Sequence, residues 1–106
     1  MKINAIYIAY VSWNQGGKRR PVLIIEDGEK SVTVFKITSK YANKSLKIKK
    51  KYYPIKNWEI SGLKKASYID TIRRVNLLKE DVDFKYIGEL TLEDKKGLTL
   101  FLKHQL

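Results

Sequence analysis

Residues 21–38 have the sequence PVLIIEDGEKSVTVFKIT, and this stretch decides the fold. Its first part, Pro21 to Glu26, is a short apolar run of strand length. Asp27-Gly28 is a turn signal, and Ser31 to Thr38 then alternates between apolar and polar side chains, as a partner strand does. The stretch therefore predicts a β-hairpin.

The residues before this hairpin predict one more strand and a loop. Residues 3–11 (INAIYIAYV) are rich in β-branched and aromatic side chains, which favours a strand with two partly buried faces. Residues 12–19 (SWNQGGKR) predict a loop, because Gly16-Gly17 allows backbone geometry that other residues resist.

The residues after the hairpin predict two more strands, and the chain ends in a helix. Residues 39–45 predict a polar loop, and a lysine-rich strand follows up to Tyr53, where Pro54 interrupts pairing. Residues 57–62 can form one helical turn, and residues 66–75 predict another strand. Thr91-Leu-Glu-Asp94 resembles a helix-capping signal. The apolar residues that recur after it at helical spacing, typical of a helix packed on a sheet, are Leu98, Phe101, Leu102 and Leu106.

About five short strands followed by a helix predict one mainly β domain over residues 1–106. The expected architecture is a small, mostly antiparallel barrel. The pattern of strands alone does not separate an SH3-like barrel from an OB-fold.

The composition excludes several classes of site. The chain has no cysteine and a single histidine, His104, so a disulfide framework, a cysteine-ligated metal and two-histidine catalysis are all excluded. No apolar run approaches the length of a membrane span and no signal-peptide pattern follows Met1, so we expect a cytoplasmic protein without membrane contact. The 22 basic residues against 11 acidic ones give a net charge of +11, which indicates a polyanionic partner.

The positive charge is concentrated in one part of the chain. Nine lysines and no acidic residue lie between Lys30 and Lys56, whereas residues 79–106 carry five lysines and six acids. Lysines that neutralise phosphates give salt-dependent affinity for nucleic acid, and exposed aromatic rings can stack on unpaired bases. The interleaved rings are Phe35, Tyr41, Tyr52, Tyr53 and Trp58. The segment predicts an interface for single-stranded nucleic acid; the alternative is that the rings are core residues and the lysines only solvate the surface.

Three short segments offer groups that could act on RNA. The sequence has neither a phosphate-binding Walker pattern nor a dinucleotide fingerprint, and its acids are too scattered to predict a metal cluster. Cleavage without a metal or other cofactor is possible on RNA, because its own 2′-hydroxyl can attack the adjacent phosphorus. Such a site needs a cation over the phosphoryl oxygens, a proton acceptor and a proton donor. The three segments are 16–21 (GGKRRP), 37–40 (ITSK) and 67–74 (SYIDTIRR).

GGKRRPVLII, followed by ITSK and then GLKKASYIDTIRRV, resembles the MazF/PemK family of toxin endoribonucleases along nearly the whole chain. The resemblance implies an SH3-like barrel with an appended C-terminal helix, a homodimer, and metal-independent cleavage of single-stranded RNA. It also implies a cognate antitoxin that binds and blocks the same groove.

The resemblance assigns catalytic roles to Arg20, Thr38 and Asp70. The neighbouring residues expected to bind RNA are Lys18, Arg19, Ser39, Lys40, Tyr68 and Arg73. The sequence departs from the family pattern in three places: the first loop has Trp13-Asn14-Gln15 where an acid or histidine is frequent, Tyr68 stands where some members have arginine, and Asn4 replaces a glycine.

Other interpretations remain open for the protein and for its residues. The related CcdB-type toxins act by binding DNA gyrase, and a nucleic-acid-binding barrel without turnover would have the same charge pattern. Arg20 could be a surface charge and Thr38 a turn hydroxyl, and Asp70 could pair with Arg73 or Arg74. His104 is expected to be a cation at the end of the helix rather than a catalytic group.

Overall fold

The computed structural model describes residues 1–13 and 16–105, and these form six strands and two helices. The elements are β1 (Ala5–Trp13), β2 (Gly16–Asp27), β3 (Ser31–Thr38), α1 (Leu46–Lys49), β4 (Tyr52–Pro54), β5 (Tyr68–Leu78), β6 (Lys85–Glu89) and α2 (Leu92–Lys103). The strands form one antiparallel sheet in the order β4-β5-β3-β2-β1-β6. The mainly β class and the C-terminal helix are confirmed. The described strands make an open sheet, with β4 and β6 at its edges, instead of a closed barrel.

The hairpin of β2 and β3 forms as predicted. Leu23 pairs with Phe35 across it, and the Gly28 N–H donates to the Ser31 carbonyl at 2.9 Å in the turn. Because side chains alternate along a strand, Leu23 and Phe35 point to one face of the sheet while Val22 and Val34 point to the other. The buried residues divide in the same way, so the two faces carry separate apolar clusters.

The larger cluster lies between the sheet and α2. Ile6, Leu23, Ile37 and Ile69 are buried from the strands, and Leu98 packs against them from α2. Phe101 and Leu102 pack against the same cluster, as the helical spacing predicts, while Leu106 lies outside the described residues. The predicted cap is also found, since the Thr91 hydroxyl accepts a hydrogen bond from the Asp94 N–H at 3.3 Å.

The predicted loop over residues 12–19 is wrong in its extent. Strand β1 continues to Trp13 and β2 begins at Gly16, with Ser12 paired to Gly17. A β-carbon at Gly17 would overlap the ring of Tyr10, so this glycine makes room for an aromatic side chain across the hairpin. The first of the three departures from the family pattern is the sequence Trp13-Asn14-Gln15. Two of these residues, Asn14 and Gln15, lie outside the described residues.

The predicted lysine-rich strand before Tyr53 is mostly a helix. Residues 46–49 form α1, and the Ser45 hydroxyl caps it by accepting from the Ile48 N–H at 3.3 Å. The serine cap and the helix-favouring leucine and lysines outweigh the short alternation that predicted a strand. Only Tyr52–Pro54 extends as β4, and its place at the sheet edge tolerates the proline.

Strand β6 was not predicted from the sequence. The segment 57–67 packs beside it through a close backbone contact at Gly62 and Gly88. Gly62 has φ = +92°, and a β-carbon there would overlap the Ile87 carbonyl; a β-carbon on Gly88 would overlap the Ser61 carbonyl. The two glycines therefore let the segment 57–67 lie directly on β6.

Replacing Gly62 with alanine is expected to lower the free energy of unfolding by about 2–3 kcal/mol, because alanine is strained at this φ and meets backbone atoms. Chemical denaturation measures the change. Glu59→Ala, at an exposed position of the same segment, is the control and should change stability by less than about 0.5 kcal/mol. Equal stability of the two variants would contradict the close contact.

Asn4, the residue just before β1, has a left-handed backbone with φ = 69°. Glycine and asparagine tolerate this region better than other residues do. The Asn4 N–H donates to the Ile24 carbonyl at 2.8 Å, and its carbonyl accepts from the Leu90 N–H at 3.0 Å. Asparagine at this position is thus compatible with a conformation that glycine usually supplies.

Among the helices in the described ranges, none has both the length and the apolar character needed to cross a membrane.

Candidate functional site

A concave pocket of about 520 Å³ opens where β2, β3 and β5 meet the edge strand β4. Asp70 on β5 pairs with Lys36 of β3 on one side and with Tyr52 of β4 on the other, so these three side chains stand in one row. Val22 on β2 pairs with Lys36, and Arg20 lies two residues before Val22 on the same face. The sheet register therefore brings residues from four strands or strand ends to one place. We call it the basic pocket.

The basic pocket is strongly cationic. Its lining contains five basic side chains and one carboxylate, which is a formal charge of 5 − 1 = +4. The basic residues are Lys18, Arg20, Lys36, Lys40 and Lys44, and the acid is Asp70. A concave surface with this excess of positive charge attracts phosphate groups.

Arg20 reaches the pocket from the middle of β2 and is half-buried there. Its Nε is buried and has no hydrogen-bond partner within the part of the chain that the structure describes. A buried donor without a partner is costly, so an acceptor from outside the chain would stabilise this arrangement. The guanidinium can supply two parallel donors to a phosphate.

Thr38 ends β3 with its hydroxyl at the pocket. Its Oγ1 accepts a hydrogen bond from the Lys40 N–H at 3.1 Å, which leaves the hydroxyl proton available for donation to a ligand. The same contact turns the chain after β3, so that Ser39 and Lys40 also line the pocket.

Asp70 is nearly buried, with 8% of its surface exposed. Its Oδ1 accepts from the Ile72 N–H at 3.0 Å, and its Oδ2 lies 3.9 Å from Lys36 Nζ. The interpretation of Asp70 as the partner of Arg73 or Arg74 is not supported, since Lys36 is its ion-pair partner and Arg74 pairs with Glu26 at 2.9 Å. Among the described residues this long contact is the one recorded for Oδ2, which has lone pairs left to accept a hydrogen bond.

Tyr52 completes the row from β4 and lines the pocket. Burial raises the pKa of its phenol above the ordinary value, the Asp70 carboxylate raises it further, and the Arg20 guanidinium opposes the shift. The phenol therefore stays protonated at neutral pH and can donate a hydrogen bond.

The structure brings six of the nine candidate residues together in the basic pocket: Lys18, Arg20, Thr38, Ser39, Lys40 and Asp70. Arg19 follows the alternation of β2 to the other face of the sheet. Tyr68 stacks on Tyr41, with ring centroids 4.1 Å apart and planes 7° from parallel. Arg73 is exposed in a stretch of β5 where the pairing with β3 is irregular.

Four residues that line the pocket were not among the nine candidates, namely Lys36, Ile37, Lys44 and Tyr52, although Lys36, Lys44 and Tyr52 belong to the segment predicted to bind single-stranded nucleic acid. The alternation of residues 31–38 contained a signal for Lys36, because it places Lys36 and Thr38 on the same face. Tyr52 was expected only as one of the aromatic rings of that segment, since its place in the pocket depends on the pairing of β4 with β5. His104 is the exposed C-cap of α2, as expected for a residue at the helix end.

Comparison of the chain with models of known protein families gave no match, and a search among curated proteins gave none either.

Proposed function

We propose that the protein is an endoribonuclease that cleaves single-stranded RNA without a metal, and that the basic pocket is its active site. One observation carries the proposal: a cationic pocket that also holds a nearly buried carboxylate, a threonine hydroxyl and a half-buried arginine, of which the hydroxyl proton and the arginine Nε have no partner within residues 1–13 and 16–105. These are the groups that attack by a 2′-hydroxyl requires.

Each group has a role in the proposed reaction. Arg20 binds the phosphoryl oxygens, and the Thr38 hydroxyl donates to one of them. Asp70 Oδ2 accepts the proton of the 2′-hydroxyl as the 2′-oxygen forms its bond to phosphorus. The bond from phosphorus to the 5′-oxygen breaks, and the hydroxyl of Tyr52, which lines the same pocket, supplies the proton to that leaving oxygen. The products are a 2′,3′-cyclic phosphate and a 5′-hydroxyl end, and no water is consumed in this step.

The resemblance to the MazF/PemK toxins supports the same proposal from the sequence. Arg20, Thr38 and Asp70, the residues matched to the family's functional positions, lie in one pocket. On this proposal the open sheet corresponds to the family's SH3-like barrel, and the protein is a cytoplasmic toxin that cleaves mRNA and so inhibits translation. A homodimer and a cognate antitoxin that blocks the basic pocket are its proposed partners.

The proposal is tested by incubating the protein with a short single-stranded RNA and with the same RNA carrying a 2′-deoxy sugar at the cleaved nucleotide. Cleavage of the first and not of the second is expected, because the deoxy sugar removes the attacking oxygen. Cleavage of both would require water or another external nucleophile. Binding without cleavage would favour the non-catalytic alternatives, including a gyrase-binding or a nucleic-acid-binding protein.

The lysines of the basic pocket should determine how strongly RNA affinity depends on salt. Each phosphate contact on a single strand contributes about 0.7 to the slope of log affinity against log salt concentration. Lys40→Ala and Lys44→Ala are each expected to flatten the slope by about 0.7. Fluorescence anisotropy on the 2′-deoxy RNA measures it. Lys96→Ala and Lys103→Ala, at exposed positions of α2, are matched controls, and an equal slope change in all four variants would contradict this interface.

A further inference from the structure

A second concave surface adjoins the basic pocket on the other face of the sheet. It has a volume of about 310 Å³, and its floor is mainly apolar, with Ile8, Pro21 and Ile87 among the residues that line it. Ile37 and Ser39 line both surfaces, so the two meet at the end of β3. We call this second surface the apolar pocket.

The sheet register builds the floor of the apolar pocket. Ile8 on β1 pairs with Pro21 of β2 on one side and with Lys85 of β6 on the other. Pro21 follows Arg20 directly, and alternation sends their side chains to opposite faces. Consecutive residues of β2 therefore line the two pockets: Arg20, the proposed phosphate-binding group, lines the basic pocket, and Pro21 lines the floor of the apolar pocket.

Three lysines form the rim of the apolar pocket. Lys85 comes from β6, and Lys64 and Lys65 come from the segment that the contact between Gly62 and Gly88 holds against β6. All three are exposed, and no acidic side chain lines this pocket among the described residues. An apolar floor beneath a cationic rim suits a ligand with a flat apolar face and a negative charge.

A nucleotide of single-stranded nucleic acid has this combination of groups, and its chain would continue into the basic pocket. A second copy of the protein fits the charge less well, because each copy carries +11 and would bring its own lysines to this rim. Contact of a base with apolar side chains requires no buried hydrogen-bond partner, so the floor is suited to a base whatever its edge groups are.

We propose that the apolar pocket binds the nucleotide adjoining the cleaved phosphate, with its base on Ile8, Pro21 and Ile87 and the next phosphate at Lys64, Lys65 and Lys85. This inference rests on the proposed function. It adds a second subsite, so that an RNA strand bends over the end of β3 at Ser39, with the cleaved phosphate in the basic pocket and the adjoining base in the apolar pocket.

The test is a double-mutant cycle between protein and RNA. An abasic nucleotide is placed in turn at each position of a short RNA centred on a mapped cleavage site. For the natural protein, kcat/KM should fall about tenfold at one position next to the cleaved phosphate and much less elsewhere. Ile8→Ala should lower kcat/KM about tenfold on intact RNA and add little to the loss on that abasic RNA. Ile60→Ala, at an exposed isoleucine outside the pocket, is the matched control.

The rim is tested separately. Lys65→Ala/Lys85→Ala should flatten the salt dependence of affinity by about 0.7 more than Lys96→Ala/Lys103→Ala does, the contribution of one phosphate. Equal losses from Ile8→Ala on intact and abasic RNA, or uniform abasic losses along the RNA, would overturn the inference. A third result would also overturn the inference: Ile8→Ala changes the protein from dimer to monomer in sedimentation, while its kcat/KM losses on the abasic RNAs equal those of the natural protein. A second copy of the protein would then occupy the pocket.

The same cycle can be measured as affinity for the 2′-deoxy RNA, which separates this inference from the proposed function. Binding with the expected abasic coupling but without cleavage of natural RNA would overturn the enzyme proposal and keep the nucleotide subsite. Cleavage of natural RNA without the abasic coupling would overturn the nucleotide subsite and keep the enzyme proposal. Absence of any RNA binding would overturn both.

Discussion

Replacing Arg20 with alanine is expected to lower RNA cleavage about 10²–10³-fold while leaving the protein folded. Arg20 is the only arginine that lines the basic pocket among the described residues, and its guanidinium can supply two parallel donors to a phosphate. Loss of one such donor to a developing charge typically costs this much in rate. Arg20→Lys keeps the charge but loses the planar pair of donors, so its activity should lie between those of alanine and arginine.

Arg19→Ala is the matched control for this experiment. The two arginines are adjacent on β2 and differ in the face of the sheet that their side chains occupy. The control should retain cleavage within about threefold of the natural rate, since only a peripheral charge is lost. Cleavage rates are measured on short single-stranded RNA, and circular dichroism checks that both variants are folded. Equal losses in the two variants would show that general positive charge, and not the position of Arg20, supports the activity.

Replacing Asp94 with alanine is expected to give the largest loss of stability, about 3–5 kcal/mol. Its buried carboxylate accepts from the Tyr53 hydroxyl at 2.8 Å, from the Lys56 N–H at 2.9 Å and from the Asn57 N–H at 2.8 Å. These hydrogen bonds connect β4 and the residues just after it to the first turn of α2. Without the carboxylate, three buried or half-buried donors would lose their partner.

The Tyr53 phenol keeps its proton at neutral pH and therefore donates a hydrogen bond in this network. Burial raises its pKa, and the hydrogen bond to Asp94 raises it further. Glu93→Ala is the control, because this neighbouring acid is exposed on the same helical turn and should cost less than about 1 kcal/mol. Urea denaturation compares the two variants. Similar midpoints for both would show that the Asp94 network contributes little to stability.

Local sequence signals predicted the parts of the fold that depend on neighbours along the chain. The β2–β3 hairpin formed because alternation and the Asp27-Gly28 turn act within a few residues. The cap at Thr91 followed in the same way. Strand β6 could not be predicted, since Lys85–Glu89 is held by its pairing with β1, about 80 residues earlier, and by the contact of Gly88 with Ser61.

The candidate site follows the same division. Arg20 and Thr38 could be chosen from local sequence and from the family resemblance, but their meeting with Asp70 depends on the register of three strands. The resemblance distinguished Arg20 from Arg19, but only the extension of β2 through both residues puts their side chains on opposite faces of the sheet. Tyr52 was expected only as an aromatic ring of the lysine-rich segment, because its position beside Asp70 depends on the pairing of β4 with β5.

The most direct test of the proposed metal-independent cleavage is the identification of the ends that the protein leaves on single-stranded RNA in excess EDTA. We expect fragments with a 2′,3′-cyclic phosphate on one side and a 5′-hydroxyl on the other, formed at an undiminished rate without divalent metal. Fragments with a 5′-phosphate, or cleavage that stops in EDTA and returns with added magnesium, would contradict the proposal.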